Sequence, residues 1–272
     1  MDQRTFQKFQ EIVFEHSGIQ LNDSKKAMVN SRISKRMRVL GIGEQKDYLS
    51  YLTNDSSGDE IVKFLDVIST NVTSFFRESE HFKFIRELIT AYVSNNCRKI
   101  RIWSAGSSTG EEPYSIAMTA LDAARSFTCD IKILATDIST QALSKARAGQ
   151  YESSAMKNVP PQYKENYFSC YTSEGKKYYR VKDVLRDMVV FRRLNLSRPP
   201  FPMKGLLDFI FCRNVMIYFD NTIKAHLVSE MQRLLKPGGY LFTGHAESLT
   251  SIESDFCCLR PSIYYFNNDA VM

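Results

Sequence analysis

From about residue 98 onward the chain alternates short apolar runs with stretches of helical spacing, and no other feature limits its possible folds so tightly. The runs at about 100–103, 131–136, 189–194, 207–211 and 240–244 have strand length, and helical patterns at about 113–124, 140–148 and 222–235 lie between them. Successive strands separated by helices cannot close as tight hairpins. They build a parallel sheet covered on both faces, which predicts an α/β domain whose ligand sits at the carboxyl ends of the strands.

Residues 1 to about 70 read differently. Phe6, Phe9, Ile12 and Val13 make an apolar helical stripe ended by Gly18, and Asn22-Asp23-Ser24 offers a cap for a second helix to about Val39, stopped by Gly41 and Gly43. Further helices are expected at about 45–52 and 59–68, with the turn Asn54-Asp55-Ser56-Ser57-Gly58 between them. Hydrophobic residues make up 43% and charged residues 24% of the chain, so it has enough apolar surface to bury cores and is not a disordered chain. No apolar run approaches the roughly 20 residues of a membrane span, and the start MDQRTFQKFQ lacks a signal peptide's apolar stretch; a cytoplasmic protein without membrane insertion is expected. The cysteines at 97, 129, 170, 212, 257 and 258 contain no C-x-x-C pair and the histidines no H-E-x-x-H, so no metal is expected.

The loop after the first strand carries the chemistry. In SAGSSTGEEPYS, from Ser104 to Ser115, small side chains let backbone approach a ligand closely where a strand feeds a helix. Asp137 ends the second strand, where an acid can accept hydrogen bonds from both ribose hydroxyls of a nucleoside. A pyrophosphate would be repelled by Glu111 and Glu112 at the helix start. S-adenosylmethionine has no phosphate, and its sulfonium and ammonium groups suit carboxylates.

Five stretches together resemble the CheR chemotaxis receptor methyltransferase family: TNVTSFFRE (70–78), WSAGSSTGEEPYSIA (103–117), ATDIS (135–139), FCRNVMIYFD (211–220) and LLKPGGYLFTGHAES (234–248). The likeness covers nearly the whole chain in order. It implies an all-α N-terminal receptor-docking domain (1–70), a linker with a first catalytic-domain helix (71–97), and a Rossmann-like class I methyltransferase domain (98–272). A small antiparallel β-subdomain is inserted at about 163–186, where Thr172-Ser173-Glu174-Gly175 reads as a turn. Carried over by position, the family's cofactor contacts fall on Asn71, Thr73, Arg77, Ala105, Gly106, Glu112, Asp137, Asn195, Leu196, Cys212 and Arg213, with Glu111 an alternative to its neighbour Glu112.

The implied reaction moves a methyl group from S-adenosylmethionine to glutamate side chains of chemoreceptors, leaving S-adenosylhomocysteine and a methyl ester. Glutamate, with a pKa near ~4.3, is already ionised at neutral pH and needs no general base. Catalysis then rests on holding oxygen, methyl and sulfur in line, which can supply roughly 7–11 kcal/mol. Arg77 can fork onto a carboxylate and the Tyr218 hydroxyl can donate to one, so these two are expected to orient the acceptor. Their plain alternatives are an ion pair with Glu80 and a place in the core.

The resemblance also places receptor docking on the second helix, at Arg32, Arg36 and Arg38, in keeping with the chain's net charge of +6. It allows the small subdomain to grip a receptor's C-terminal pentapeptide. A monomer is expected. One rival is nucleic-acid methylation, since Arg198-Pro199-Pro200-Phe201 has the outline of D-P-P-[FY]; arginine, however, cannot accept the hydrogen bond that motif requires. The other rival is a non-catalytic S-adenosylmethionine sensor, against which Arg77 and Tyr218 argue together.

Overall fold

The structure, a computed structural model, describes residues 1–267, so positions 268–272 of the expected catalytic domain lie outside the described residues. The helical part comprises α1 (Gln3–Ser17), α2 (Lys26–Leu40), α3 (Gln45–Asn54) and α4 (Asp59–Ile68). Their stripes converge as the periodicity demands: Phe6, Phe9, Val13, Val29, Ile33, Tyr48, Phe64 and Ile68 form one buried cluster. The Asp2 carboxylate caps α1 at Thr5 N–H (2.8 Å), and Asp55 caps the turn into α4 by accepting from Ser57 and Glu60 N–H. The expected side-chain cap at Asn22-Asp23-Ser24 does not form. Ser24 Oγ donates to Asn22 Oδ1 instead, and a 3₁₀ turn over Asp23–Lys25 leads into α2.

Beyond the linker come α5 (Glu80–Ser94), β1 (Lys99–Ala105), α6 (Glu111–Ala123), β2 (Asp130–Asp137) and α7 (Thr140–Ala148). A small unit follows, made of β3 (Gln150–Glu152), α8 (Pro161–Tyr167), β4 (Phe168–Ser173), β5 (Lys176–Val181) and α9 (Asp183–Arg186). The chain then returns as β6 (Val189–Arg193), β7 (Leu207–Cys212), α10 (Asn221–Leu234), β8 (Leu235–Thr243), β9 (Phe256–Arg260) and β10 (Ile263–Phe266).

The main sheet has the order β6-β2-β1-β7-β8-β10-β9, parallel from β6 to β8 and antiparallel at β10 and β9. Its central strand β7, LDFIFC, is buried at every position, as a strand covered on both faces must be. The order in which strands are added reverses between β1 and β7, so the loops after these two parallel strands part and leave a crevice.

The second sheet, β3-β5-β4, is antiparallel, with Glu174 and Gly175 both at positive φ (49° and 74°) in the two-residue turn between β4 and β5. This unit begins earlier than the expected 163. Glu152 already pairs with Tyr178, and Tyr151 is buried against Phe75 at a centroid distance of 4.9 Å. A three-residue strand directly after a helix is too short to show alternation, which is why its onset could not be read.

Candidate active site

A cleft opens at the switch between β1 and β7. One wall is the sheet's carboxyl edge; the other is supplied by Ser17 at the end of α1, by Ile19 just beyond it, and by the linker from Ser69 to Ser74. The helical part is tied to this edge by backbone and side chain: Gln20 N–H donates to Tyr218 C=O (2.8 Å), Asn195 Nδ2 to His16 C=O (2.8 Å), and Thr140 Oγ1 to Asp66 (2.6 Å).

The loop after β1 is pinned to β2 by Gly106 and Ser107 N–H, which both donate to Thr136 C=O. Gly106 has φ +81°, and a Cβ there would lie 2.3 Å from Val215 Cγ2, so only glycine lets the two loops meet. Asp137 accepts from Ser108 N–H and Ser139 N–H, each at 2.8 Å, and faces the cleft. Burial pushes its carboxyl upward, against the pull of those amides. The cap of α7 comes from Ser139, whose Oγ accepts from Ala142 N–H (3.1 Å).

Of the two adjacent acids, Glu112 lines the cleft and Glu111 does not. Glu112 accepts from Ser104 Oγ (2.7 Å) and from Arg213 Nη1 (3.1 Å); Glu111 turns away and accepts from Thr109 Oγ1 (2.6 Å). Burial raises both carboxyls above the ordinary value, with Arg213 opposing the effect at Glu112. Arg213, only 2% exposed, also forks onto Glu78 and donates to the Arg77 carbonyl. Burial tends to raise Glu78, but Arg213 outweighs it and holds that carboxyl below the usual range.

Asn71, Thr73, Arg77, Gly106, Asn195, Leu196 and Tyr218 all line the cleft. Ala105 and Cys212 do not; both are fully buried at the ends of β1 and β7, behind the surface that a ligand would meet. The exposed Arg77 donates to Val72 C=O (3.2 Å), while Glu80 pairs with Lys83 (2.7 Å), so the alternative Arg77–Glu80 ion pair is not formed. The Tyr218 ring lies 4.8 Å from Lys25 Nζ.

The α2 arginines are not one free face. Arg32 donates to the carbonyls of Val67, Ile68 and Ser69, closing the carboxyl end of α4. Arg36 forks onto Glu60, which is 2% exposed and also accepts from the Tyr48 hydroxyl (2.9 Å). Arg38 is exposed and, among the described residues, bonds within its own helix to Ser34 C=O.

Two further acids escaped sequence reasoning. Glu78 joins the Arg213 network, and Glu247, buried at 6%, binds backbone amides of the loop after β7. The stretch GHAES held Glu247 in plain view, but nothing in its spacing gives a partner some 30 residues away. The histidines, scattered in sequence, also partly converge: ligand atoms of Glu78, His81 and His245 lie within 4.8 Å of one another, with Arg213 already on the same Glu78 carboxylate. Among the described residues no helix is long and apolar enough to cross a membrane.

The geometry suits a cationic nucleoside. Ser108 Oγ is buried without a partner beside the cleft, Gly106 leaves room for close approach, and Glu112 and Asp137 present carboxylates. Comparison with known proteins gives a consistent result. The family described as CheR methyltransferase, SAM binding domain, matches residues 71–264, and CheR methyltransferase, all-alpha domain, matches 4–69. A chemotaxis protein methyltransferase of Escherichia coli K12 is 38% identical over 264 residues, covering 97% of this chain and 91% of that one. Chemotaxis protein methyltransferase 2 of Pseudomonas aeruginosa is 40% identical over 243 residues, covering 89% and 86%. A chemotaxis protein methyltransferase of Borreliella burgdorferi is 38% identical over 245 residues, covering 88% and 86%.

Proposed function

The chain belongs to the CheR methyltransferase family and carries its S-adenosylmethionine-binding domain, and from that premise we propose that it methylates glutamate carboxylates on chemoreceptors. The observation that carries the reading is the charge layout of one cleft. Its lining brings together the carboxylates of Glu112, already paired with Arg213, and of the buried Asp137, with the exposed guanidinium of Arg77 and the partly buried phenol of Tyr218. The carboxylates suit a cationic donor; the guanidinium and the hydroxyl suit an anionic acceptor.

S-adenosylmethionine, when bound, supplies a methyl group on a positively charged sulfur. Glu112 would pair with its ammonium group, held in place by Ser104 and Arg213. Asp137 would take the ribose hydroxyls, and Asn195 and Leu196 would flank the adenine. Asn71, Thr73 and the Gly106 backbone would close over the donor from the linker and the β1 loop. Arg77 forks onto the acceptor carboxylate and Tyr218 donates to it, fixing the attacking oxygen; no residue has to remove a proton, because the acceptor is already an anion. Arg38 would face the acidic receptor helix, with Arg32 and Arg36 shaping the same part of the domain from inside it. The small β-subdomain is the proposed holding point for a receptor's C-terminal segment.

The test incubates the protein with tritiated S-adenosylmethionine and membranes bearing chemoreceptors. Base-labile label on the receptor band is expected. Label on RNA, or tight donor binding with no transfer, would sink the reading.

A further inference from the structure

The short turn from Asn214 to Ile217 joins Arg213, anchored in its ionic network, to Tyr218 at the cleft. It is a loop without sheet or helix hydrogen bonds of its own until the 3₁₀ turn Met216–Tyr218. Its placement comes from one side chain reaching over from beyond β8. Glu247 Oε1 accepts from Val215 N–H (2.8 Å) and Ile217 N–H (3.2 Å), and Oε2 accepts from Asn214 N–H and Gly244 N–H, both at 2.6 Å. Four amides on one buried carboxylate make a rigid clamp, because a charge removed from water is tolerated only while such donors stay aimed at it.

Three independent details show that the clamp is built to a close tolerance. Asn214 sits in the left-handed region at φ 59°, a conformation that neighbouring bonds must hold. A Cβ on Gly244 would come within 2.5 Å of Asn214 Nδ2 and 2.7 Å of Glu247 Oε2, so the clamp closes only over glycine. On its other side the turn presses Val215 against the bare Cα of Gly106, so the β1 loop backs the start of the turn and leaves Glu247 to fix the part that leads to Tyr218.

We propose that Glu247 is a positioning residue for methyl transfer, which fixes the Asn214–Ile217 turn and through it the Tyr218 hydroxyl while touching neither donor nor acceptor. The proposal rests on the carboxyl-methylation reading above. Glu247→Gln keeps the side chain's shape but turns one acceptor oxygen into a donor, so amides on that side lose their partner. Turnover on receptor membranes should fall about 10- to 100-fold, as a misplacement of about 1 Å near the reacting atoms would cause. Affinity for S-adenosylhomocysteine, read by titration calorimetry, should stay within about threefold. Hydrogen exchange should rise at residues 214–217 and stay slow in β1.

Gly244→Ala attacks the same clamp from the opposite side and should reproduce this split. Full turnover in Glu247→Gln, or turnover and S-adenosylhomocysteine affinity lost in equal measure, would overturn the proposal, the second because it marks a collapsed donor site. If the unmodified protein labels no receptor, the methylation reading fails by itself. Exchange at 214–217 then still decides the clamp: unchanged rates in Glu247→Gln overturn it.

Discussion

The Arg213 guanidinium meets the Glu112 carboxylate at 3.1 Å, with its own side chain only 2% exposed, and the same group forks onto Glu78. One cation therefore serves two largely covered acids that come from the start of α6 and from the linker. Removing it would leave both without a charge partner. Arg213→Met should destabilise the fold by about 3–5 kcal/mol, and Arg213→Lys should recover only part of that, since an ammonium cannot fork. Urea unfolding at pH 7 measures both; a loss under about 1 kcal/mol in the methionine variant would show that the two acids find other partners.

Burial raises the Glu112 carboxyl above the ordinary glutamate value. Only the ionised form can pair with a ligand's ammonium group, so affinity is full above that raised value and is lost as pH falls through it. The affinity for S-adenosylhomocysteine should therefore weaken on acidification sooner than an unperturbed glutamate would allow. Calorimetric titration across pH 5 to 8 tests this, and Glu112→Gln should bind weakly with a flat profile. An equally steep profile in that variant would place the titrating group elsewhere.

Asp137 offers its remaining lone pairs to the cleft after binding two loop amides. Asp137→Ala should lower affinity for S-adenosylhomocysteine by about 10- to 100-fold, the worth of charge-assisted hydrogen bonds of about 1.5–3 kcal/mol. Adenine alone should bind the two proteins more nearly alike, because it lacks the ribose. Equal losses for both ligands would mean that Asp137 acts by holding the loop.

His81 is buried beside Arg213 and Glu78, and desolvation, with Arg213 adding to it, drives its pKa from 6.5 down to about 4. The folded value lies below the unfolded one, so on acidification the unfolded chain takes up this proton first. The stability it contributes is complete above pH 6.5 and is lost as pH falls toward about 4, by roughly 3 kcal/mol in full. Unfolding free energies measured between pH 7 and 4 should show this slope, and His81→Gln should flatten it. An unchanged slope would assign the acid sensitivity to other groups.

The strands that build the site were legible because a sheet covered on both faces turns each into an unbroken apolar run; β7 is the clearest case. The two antiparallel strands at the far edge, β10 and β9, were not. At β9, FCCLR is half-buried at one end and exposed for the rest, so neither a run nor an alternation marks it. In the site, the placement of Asp137 and the Gly106 loop at the cleft was legible because it follows from a position at a strand's end. The α2 arginines misled, since helical spacing displays which charges share a face and nothing of what meets them. Arg32 closes a neighbouring helix and Arg36 answers Glu60, both contacts set by tertiary packing. Glu247 was hidden for the same reason: its partners are backbone amides, which carry no sequence signature.

That distinction among the arginines has a measurable consequence. Arg36→Ala strands Glu60 in the helical core and should cost about 3–5 kcal/mol of stability, whereas Arg38→Ala should change it by under about 0.5 kcal/mol. Receptor methylation should nevertheless fall in Arg38→Ala if this exposed cation meets the acidic receptor helix, with S-adenosylhomocysteine affinity unaltered. Normal methylation in Arg38→Ala would move the docking surface elsewhere.

Tyr218 gives the sharpest test of the acceptor geometry. Its ring is fixed by Lys25 at 4.8 Å and by the turn that Glu247 clamps, so Tyr218→Phe removes a hydroxyl and leaves the ring's surroundings intact. The hydroxyl donates to an anion in the proposed reaction, a bond of about 1.5–3 kcal/mol, so turnover should fall about 10- to 100-fold. Donor affinity should not move, because the Tyr218 hydroxyl is not among the contacts proposed for the donor. Arg77→Ala should act in the same direction and more strongly, since it removes the positive charge facing the acceptor. Were Tyr218→Phe to turn over at the normal rate while Arg77→Ala did not, the guanidinium alone would orient the carboxylate and the phenol would be no more than part of the wall.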